Sequence, residues 1–342
     1  MARLRFGLIG LGMAVAPHAR SLQDLADGIE LVHAFSPSPE RRAGFEKAFG
    51  FPTCGRIEDI IDDPGLDAVM VLTPPNTHRE LVERIAATGK HILLEKPLDI
   101  ATARAEALVA ACEAAGVTLA IMLQHRFKPA AERLAALLAD GSLGPLIRCS
   151  TDIPLWRPQS YYDEPGRGIL ARDGGGVLLT QGIHTLDLMI SLAGPVSRVC
   201  GEALTSPIHR METEDLVAAT LRFANGAVGT INATTACFPG FPERIDLICR
   251  HGTALLAGSS LDIHFQDGRH ESVRPDNSSG GTGADPMAFP HDYHRGAIAD
   301  FAASIREKRA PRIPGREVLR VHRLIDALLE TSRTGLPVAV AG

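Results

Sequence analysis

The chain has 342 residues, 45% of them hydrophobic and 22% charged, with a net charge of −5. That length exceeds one ordinary core and points to two domains, and the charge leaves neither a basic footprint for nucleic acid nor a polybasic patch for a membrane. No apolar run approaches the ~18 residues of a membrane span, and the N-terminus opens on a strand rather than a signal peptide, so a cytoplasmic protein is expected.

The first half alternates strand and helix. Leu4–Ile9 reads as a strand, followed by Gly10-Leu11-Gly12-Met13-Ala14-Val15 and a helical stretch. This is a dinucleotide fingerprint with Val15 in place of the third glycine. Gly10 permits the tight turn, and Gly12 lets the backbone approach a pyrophosphate at the helix N-terminus. A glycine pattern alone also fits a plain structural turn. The next strand, Ile29–Phe35, ends at Ser36, where an NAD-preferring site usually carries a carboxylate for the ribose. Ser36 cannot repel a 2′-phosphate, and Arg41 and Arg42 follow, so NADP or dual use is modestly favoured over strict NAD. The same arginines also read as the solvated face of a helix over Pro39–Phe49.

The strand Asp67–Leu72 closes on Thr73-Pro74-Pro75-Asn76-Thr77-His78, a rigid rim against which a nucleotide could lie, and a helix follows over Arg79–Thr88. His78 reads as a capping or solvent-facing residue near that helix start. A buried apolar strand, Ile92-Leu93-Leu94, then stops abruptly on Glu95-Lys96-Pro97. Pro97 fixes φ and removes a donor, which leaves Lys96 at the carboxyl rim of an open sheet, where ligands collect. Partial burial there would lower the amine's pKa and suit it to proton exchange with a substrate. The residues alone read equally as an exposed Lys-Pro turn. A helix over Thr102–Ala115 and a strand over Val117–Leu123 complete the alternation, which implies a parallel sheet with right-handed crossovers. Gln124-His125-Arg126-Phe127 marks the expected domain border, giving a dinucleotide-binding Rossmann domain over 1–124 and a second domain over 125–342. Arg126 could contact a substrate or anchor the fold.

After a helix over Pro129–Ala139, strand patterns dominate: Pro195–Leu204, Leu216–Phe223, Ala227–Thr235, Arg244–Cys249, Gly252–Leu256, Leu261–Gln266 and Arg269–Val273. Asn225-Gly226 is a hairpin signal between two of them. An α+β domain with an open, largely antiparallel sheet is expected, one face on helices and the other, with Thr230, Asn232 and Thr234, free to meet another subunit as a homodimer or homotetramer. Residues 274–290 read as a long mobile loop, and helices as closing the chain near His291–Lys308 and Arg316–Ser332. Gly174-Gly175-Gly176 leads an apolar helix carrying His184 and Asp187, three apart on one face, so the carboxylate could orient the imidazole. Such a histidine can take a proton from an alcohol; it can equally be a satisfied helix histidine. Trp156-Arg157 and Tyr161-Tyr162 group the scarce aromatics in one loop, as a sugar or nicotinamide platform or as packing. The cysteines Cys54, Cys112, Cys149, Cys200, Cys237 and Cys249 contain no CxxC pair, so free thiols are expected, without disulfides or a metal site.

With Gly10-Leu11-Gly12, Thr73–His78, Glu95-Lys96-Pro97 and the Gly174–Asp187 segment in this order, the chain resembles the glucose–fructose oxidoreductase/inositol dehydrogenase/rhizopine-catabolism (Gfo/Idh/MocA) family over nearly its whole length. The resemblance implies an NAD(P)-dependent oxidoreductase acting on a ring carbinol of a sugar, sugar acid, nucleotide sugar or inositol. It implies Lys96 at the substrate hydroxyl and His184 as the acid/base. Arg126, Tyr162, Thr180 and Asp187 would face the substrate. Gly10, Gly12, Met13, Ser36, Arg41, Thr73, Pro74, Asn76, His78, Glu95, Lys96, Gln124, Trp156 and Arg157 would line the cofactor. Two features depart from the pattern. Thr180 stands four residues before His184, where many members carry a carboxylate, and Ser36 leaves the cofactor choice open. Two alternatives within the family are a glycosidase that uses tightly held NAD and a non-catalytic dinucleotide-binding regulator.

Overall fold

A computed structural model of the chain describes residues 2–275 and 290–342. The mobile loop expected over 274–290 lies, apart from its ends, outside the described residues. The chain forms two compact units, divided after Gln124, with Pro290–Leu319 returning to the first.

In the first unit the elements run β1 (Leu4–Ile9), α1 (Val15–Asp24), β2 (Ile29–Phe35), α2 (Pro39–Phe49), β3 (Thr53–Cys54), α3 (Glu58–Ile61), β4 (Ala68–Val71), α4 (His78–Ala86), β5 (His91–Glu95), α5 (Thr102–Ala114) and β6 (Leu119–Met122). The six strands are parallel in the order β3-β2-β1-β4-β5-β6. Helices on both faces leave the central strands no solvated side, so β4 and β6 are buried at every residue and read as continuous apolar runs. Phe6, Leu8, Ile9, Met70, Ile92, Leu93 and Leu94 are fully buried, each worth about 1.5–3 kcal/mol of transfer from water. The strand order reverses between β1 and β4, so the carboxyl ends of these strands border the crevice where such sheets bind ligands.

The expected second domain, 125–342, is too long by one segment. Residues 290–319 pack in the first unit because their apolar side chains complete its core. The helix Asp292–Glu307 puts Phe301, fully buried, edge-to-face on Phe6 at 5.8 Å. Beyond it, Ile121 N–H donates to Ile313 C=O at 3.1 Å beside β6.

The second unit contains α6 (Pro129–Ala139), β7 (Leu146–Pro154), three short helices α7 (Gln159–Tyr162), α8 (Leu170–Asp173) and α9 (Val177–Thr180), α10 (Ile183–Ala193), and the strands β8 (Val196–Leu204), β9 (Leu216–Phe223), β10 (Val228–Thr234), β11 (Arg244–Cys249), β12 (Gly252–Ala257), β13 (Ser260–Phe265) and β14 (His270–Val273). The helix Asp292–Glu307 is α11; α12 (Gly315–Thr334) and β15 (Val338–Ala339) end the chain. The nine-stranded sheet has the order β14-β13-β12-β11-β7-β10-β9-β8-β15. It is antiparallel except where β7 pairs with β10. The sequence reading placed no strand at β7, because Cys149, Ser150 and Thr151 are buried in succession and blur the alternation of a central strand. Elsewhere alternation is strict: β9 buries Val217, Ala219, Leu221 and Phe223 and exposes Ala218, Thr220 and Arg222. Helices α6, α9 and α10 pack on the buried face. Among the described residues no single helix is long and apolar enough to cross a membrane.

Candidate active site

Three turns meet at the carboxyl ends of β1, β4 and β5. After β1, Gly10 sits at φ 110°, where a Cβ would come within 2.6 Å of the Leu72 carbonyl carbon and oxygen and 2.9 Å of Thr73 N. Gly10 is therefore required by the close approach of the β4 turn. Gly12 differs: a Cβ there meets nothing within 4 Å. The space over the turn is open, and α1 begins behind it with no side-chain cap on its first N–H groups. Val15 N–H is taken by Gly12 C=O at 3.2 Å, and the open space over the turn at this uncapped helix start fits a pyrophosphate. Gln124, buried at the end of this unit, has an Oε1 with no hydrogen-bond partner among the described residues, which fits a polar ligand beside it. Met13 is 58% exposed beside the glycine turn.

After β5, the Lys96–Pro97 peptide is cis and Lys96 is half-buried. Its neighbourhood is braced from three sides. His78 is fully buried rather than at solvent, with Nε2 2.8 Å from Thr73 O and Nδ1 3.0 and 3.2 Å from Pro97 O and Leu98 O. It thus clamps the β4 rim to the β5 rim and is spent on backbone rather than free for a cofactor. Burial pushes its pKa down against the pull of those carbonyls. Asp99, also fully buried, accepts from Arg79 N–H, Ile100 N–H and the Arg104 guanidinium (2.6 Å), tying the turn to α4 and α5. Glu95 meets His18 Nε2 at 3.1 Å, and His18 packs edge-to-face on His294 at 5.0 Å. Burial alone would raise the Glu95 pKa, but the His18 hydrogen bond and the charges of His18 and Lys96 outweigh it and hold it below the usual range. His18, Glu95 and His294 are also the one group of metal-capable donors among the described residues. Neither His18 nor Asp99 stood out in the sequence, since a histidine on an amphipathic helix and an aspartate after a turn carry no signal of a partner far along the chain.

In the second unit, His184 stands in the first turn of α10, half-buried, with its ring 5.0 Å from that of His125. His125 Nδ1 lies 3.7 Å from Glu243 Oε2. The 3-10 turn Gln124–Phe127 is pinned to α10 by Arg126, whose Nε and Nη2 donate to both oxygens of Asp187 at 2.7 and 2.6 Å. The Asp187 side chain is 2% exposed and that of Arg126 11%. Of the two readings of Arg126, substrate contact or anchor, the fork supports the anchor, and it takes up the Asp187 carboxylate that was expected to orient His184 or face a substrate. Thr180 Oγ1 donates to Gly176 C=O at 2.7 Å and meets the Gln181 side chain. The three leading glycines serve the fold here. A Cβ on Gly176 would run into the Glu214 carbonyl, and the Glu214 carboxylate accepts from Gly176 N–H and Leu178 N–H at 2.9 and 3.0 Å, capping α9. Burial raises the Glu214 pKa in spite of those N–H groups.

Residues 4–123 match the model of an oxidoreductase family with an NAD-binding Rossmann fold, GFO_IDH_MocA, and residues 131–255 match the C-terminal domain of the same family. The chain belongs to the Gfo/Idh/MocA oxidoreductases. It is 27% identical to a D-apiose dehydrogenase of Paraburkholderia graminis, over 98% of this chain and 89% of that one. It is 26% identical to a myo-inositol 2-dehydrogenase of Thermotoga maritima, over 92% of each. Among solved structures, the WlbA dehydrogenase of Bordetella pertussis, held with NADH and UDP-GlcNAcA, is 28% identical over the full length of both chains with a TM-score of 0.85.

In this Gfo/Idh/MocA chain one further expectation changes. The aromatic loop is a packed block. Tyr162 is 8% exposed, its hydroxyl bonds Thr235 Oγ1 at 2.7 Å, and its ring meets His209 edge-on at 4.9 Å. Arg157 is buried with Nη1 on Trp156 O at 2.7 Å. His209 and Asp215, both buried, join at 2.6 Å beneath this loop and were not anticipated. Tyr162 and Arg157 are thereby taken up by the fold, while Trp156 stays half-buried. At the end of β2, Ser36 is 2% exposed and accepts Ser38 N–H at 3.3 Å, Arg42 donates to Ser36 C=O at 2.6 Å, and Arg41 is exposed. Ser38 caps α2 through Arg41 N–H. All six cysteines are free.

Proposed function

We propose that the protein interconverts a ring carbinol and its ketone on a polyhydroxylated substrate: a sugar, sugar acid, nucleotide sugar or inositol. NAD or NADP supplies the hydride acceptor or donor. The Gly10–Gly12 turn and the start of α1 hold its pyrophosphate, and Thr73, Pro74, Asn76 and Gln124 border the nicotinamide half. Lys96 donates a hydrogen bond to the reacting oxygen, and His184 takes or returns the hydroxyl proton. Thr180 brings no charge to raise the basicity of His184, and its hydroxyl is committed to Gly176. Ser36 and the exposed Arg41 support use of NADP as well as NAD.

One observation carries this reading. A lysine follows the apolar strand β5 at the same carboxyl end of the sheet as an open glycine turn, and the buried His78 ties the β4 rim against which Gly10 packs to the β5 rim. The named relatives act on D-apiose and myo-inositol, both polyhydroxylated. The free thiols support a cytoplasmic setting, and the uncovered face of the nine-stranded sheet supports a homodimer or homotetramer.

The test is a panel of sugars, sugar acids, nucleotide sugars and inositols with each dinucleotide, followed at the nicotinamide absorbance. Lys96→Met should abolish turnover on whichever substrate reacts while the dinucleotide still binds. Near-normal turnover in that variant would remove Lys96 from the mechanism.

A further inference from the structure

The histidine and carboxylate beside the Lys96 turn obey a strict hydrogen count. His18 stands in the first turn of α1, its side chain 1% exposed, between the Ala14 carbonyl and the Glu95 carboxylate. Nδ1 lies 2.9 Å from Ala14 O, and Nε2 lies 3.1 Å from Glu95 Oε1. A carbonyl oxygen has no hydrogen to give, so Nδ1 donates to Ala14. A neutral ring would then set the Nε2 lone pair against a carboxylate oxygen at the distance of an N–H···O bond. A second hydrogen, on Nε2, turns that contact into a charge-assisted bond. Placing the hydrogen on Glu95 instead is opposed by its other oxygen. Oε2 accepts Lys96 N–H at 3.1 Å, so both oxygens face donors, which favours the ionised carboxylate. His294, edge-on to His18, stays neutral, pushed down to about 3 by burial and the His18 charge. A divalent cation is the rival occupant, since the donor atoms of His18, Glu95 and His294 lie within 4.8 Å of one another. It would have one carboxylate to balance two charges, with the Lys96 ammonium alongside, so the proton fits better.

We propose that His18 is a positioning residue, a buried imidazolium that fixes the Glu95 carboxylate and, through it, the Lys96 turn. The proposal rests on the reading of Lys96 given above and adds how its place is held. The turn has two clamps. On the far side His78 holds the Pro97 and Leu98 carbonyls. On the near side Glu95 holds Lys96 N–H, and His18 holds Glu95. The second role of His18 is electrostatic. A carboxylate left without its imidazolium would attract the ammonium of the very next residue, and Lys96 would spend its donors there. With Glu95 satisfied by His18, those donors stay available to the reacting oxygen. His18 takes no part in proton transfer itself; it sets where Lys96 stands and what competes for it.

Two measurements test this. The first needs no substrate: ring-nitrogen NMR of the whole protein labelled at histidine, at the pH of the assay, with the His18 signals assigned by their loss in His18→Gln. Both His18 nitrogens should carry hydrogen. A lone pair on Nε2, or a divalent metal found in a one-to-one ratio by elemental analysis, overturns the proposal. The second is turnover of His18→Gln and His18→Leu on a substrate that the wild type accepts, normalised to dinucleotide-binding protein. Glutamine keeps an N–H for Glu95, whereas leucine keeps only the packing. His18→Leu should lower kcat by about a hundredfold and His18→Gln by about tenfold or less, with the dinucleotide Kd of both within about twofold of the wild type. Equal losses in the two variants mark a packing role and overturn the proposal, as does a near-normal kcat in His18→Leu. Where His18→Leu does not fold, the ring measurement decides. Loss of turnover in Lys96→Met with none in His18→Leu leaves the Lys96 reading standing and removes the positioning role. Retained turnover in Lys96→Met overturns both.

Discussion

Gly10 and Gly12 are two positions apart and answer to different forces. Gly10 is fixed by its positive φ and by the backbone of Leu72 and Thr73, so its loss is a folding defect. Gly12 has open space before it, so its loss is a binding defect. Gly10→Ala should therefore lower unfolding stability by about 1–3 kcal/mol in urea titration. Gly12→Val should leave that stability nearly unchanged and abolish binding of reduced dinucleotide followed by its fluorescence. Equal stability losses in the two variants, or full dinucleotide binding by Gly12→Val, would contradict the division. The glycine pattern was legible because it is local: strand, turn and helix follow one another within a dozen residues. His18 was not, because its partners Glu95 and His294 come from other elements and no spacing rule connects them.

At the scale of elements, the strands and helices of the first unit were legible from apolar runs and punctuation, with ends displaced by one or two residues. The strand β3 and the one-turn helix α3 were missed because two and four residues carry no period. The second unit was read less completely. Its glycine-led helix is two pieces, α9 and α10, and the glycines answer to Glu214, 38 residues beyond Gly176 in the chain. The fork between Arg126 and Asp187 spans 61 positions and was equally out of reach. That fork has a measurable consequence. Removing one member of a buried ion pair strands the other charge and costs about 3–5 kcal/mol, whereas replacing both by apolar groups costs far less. Asp187→Asn should thus be strongly destabilised in urea, and Arg126→Met/Asp187→Leu closer to the wild type. A double variant as unstable as the single one would mean that the pair holds the Gln124–Phe127 turn through its geometry, not its charge balance.

For the molecule as a whole, histidines in both units are held neutral in the interior. Burial pushes His322 down to about 4, and burial with the neighbouring His18 charge pushes His294 down to about 3. His78 is lowered in the same direction. An unfolded histidine titrates near ~6.5, so below that pH the unfolded chain binds protons that the folded chain refuses. The sign follows: their contribution is complete above pH 6.5 and is lost as pH falls towards the folded values. For His322 alone, the loss by pH 5 is about 2 kcal/mol. Glu214, raised by burial, works in the opposite sense and softens the decline. Glu95, lowered, adds to the decline only below the carboxylate range near ~4.5. Urea unfolding followed by Trp156 fluorescence should then show stability falling from pH 7.5 to pH 5. His322→Leu, judged by its slope rather than its absolute stability, should remove about one proton's worth of that fall. Stability independent of pH across this range, or an unchanged slope in His322→Leu, would show that these rings accept protons inside the folded protein and that the interior around them is wetter than the packing implies.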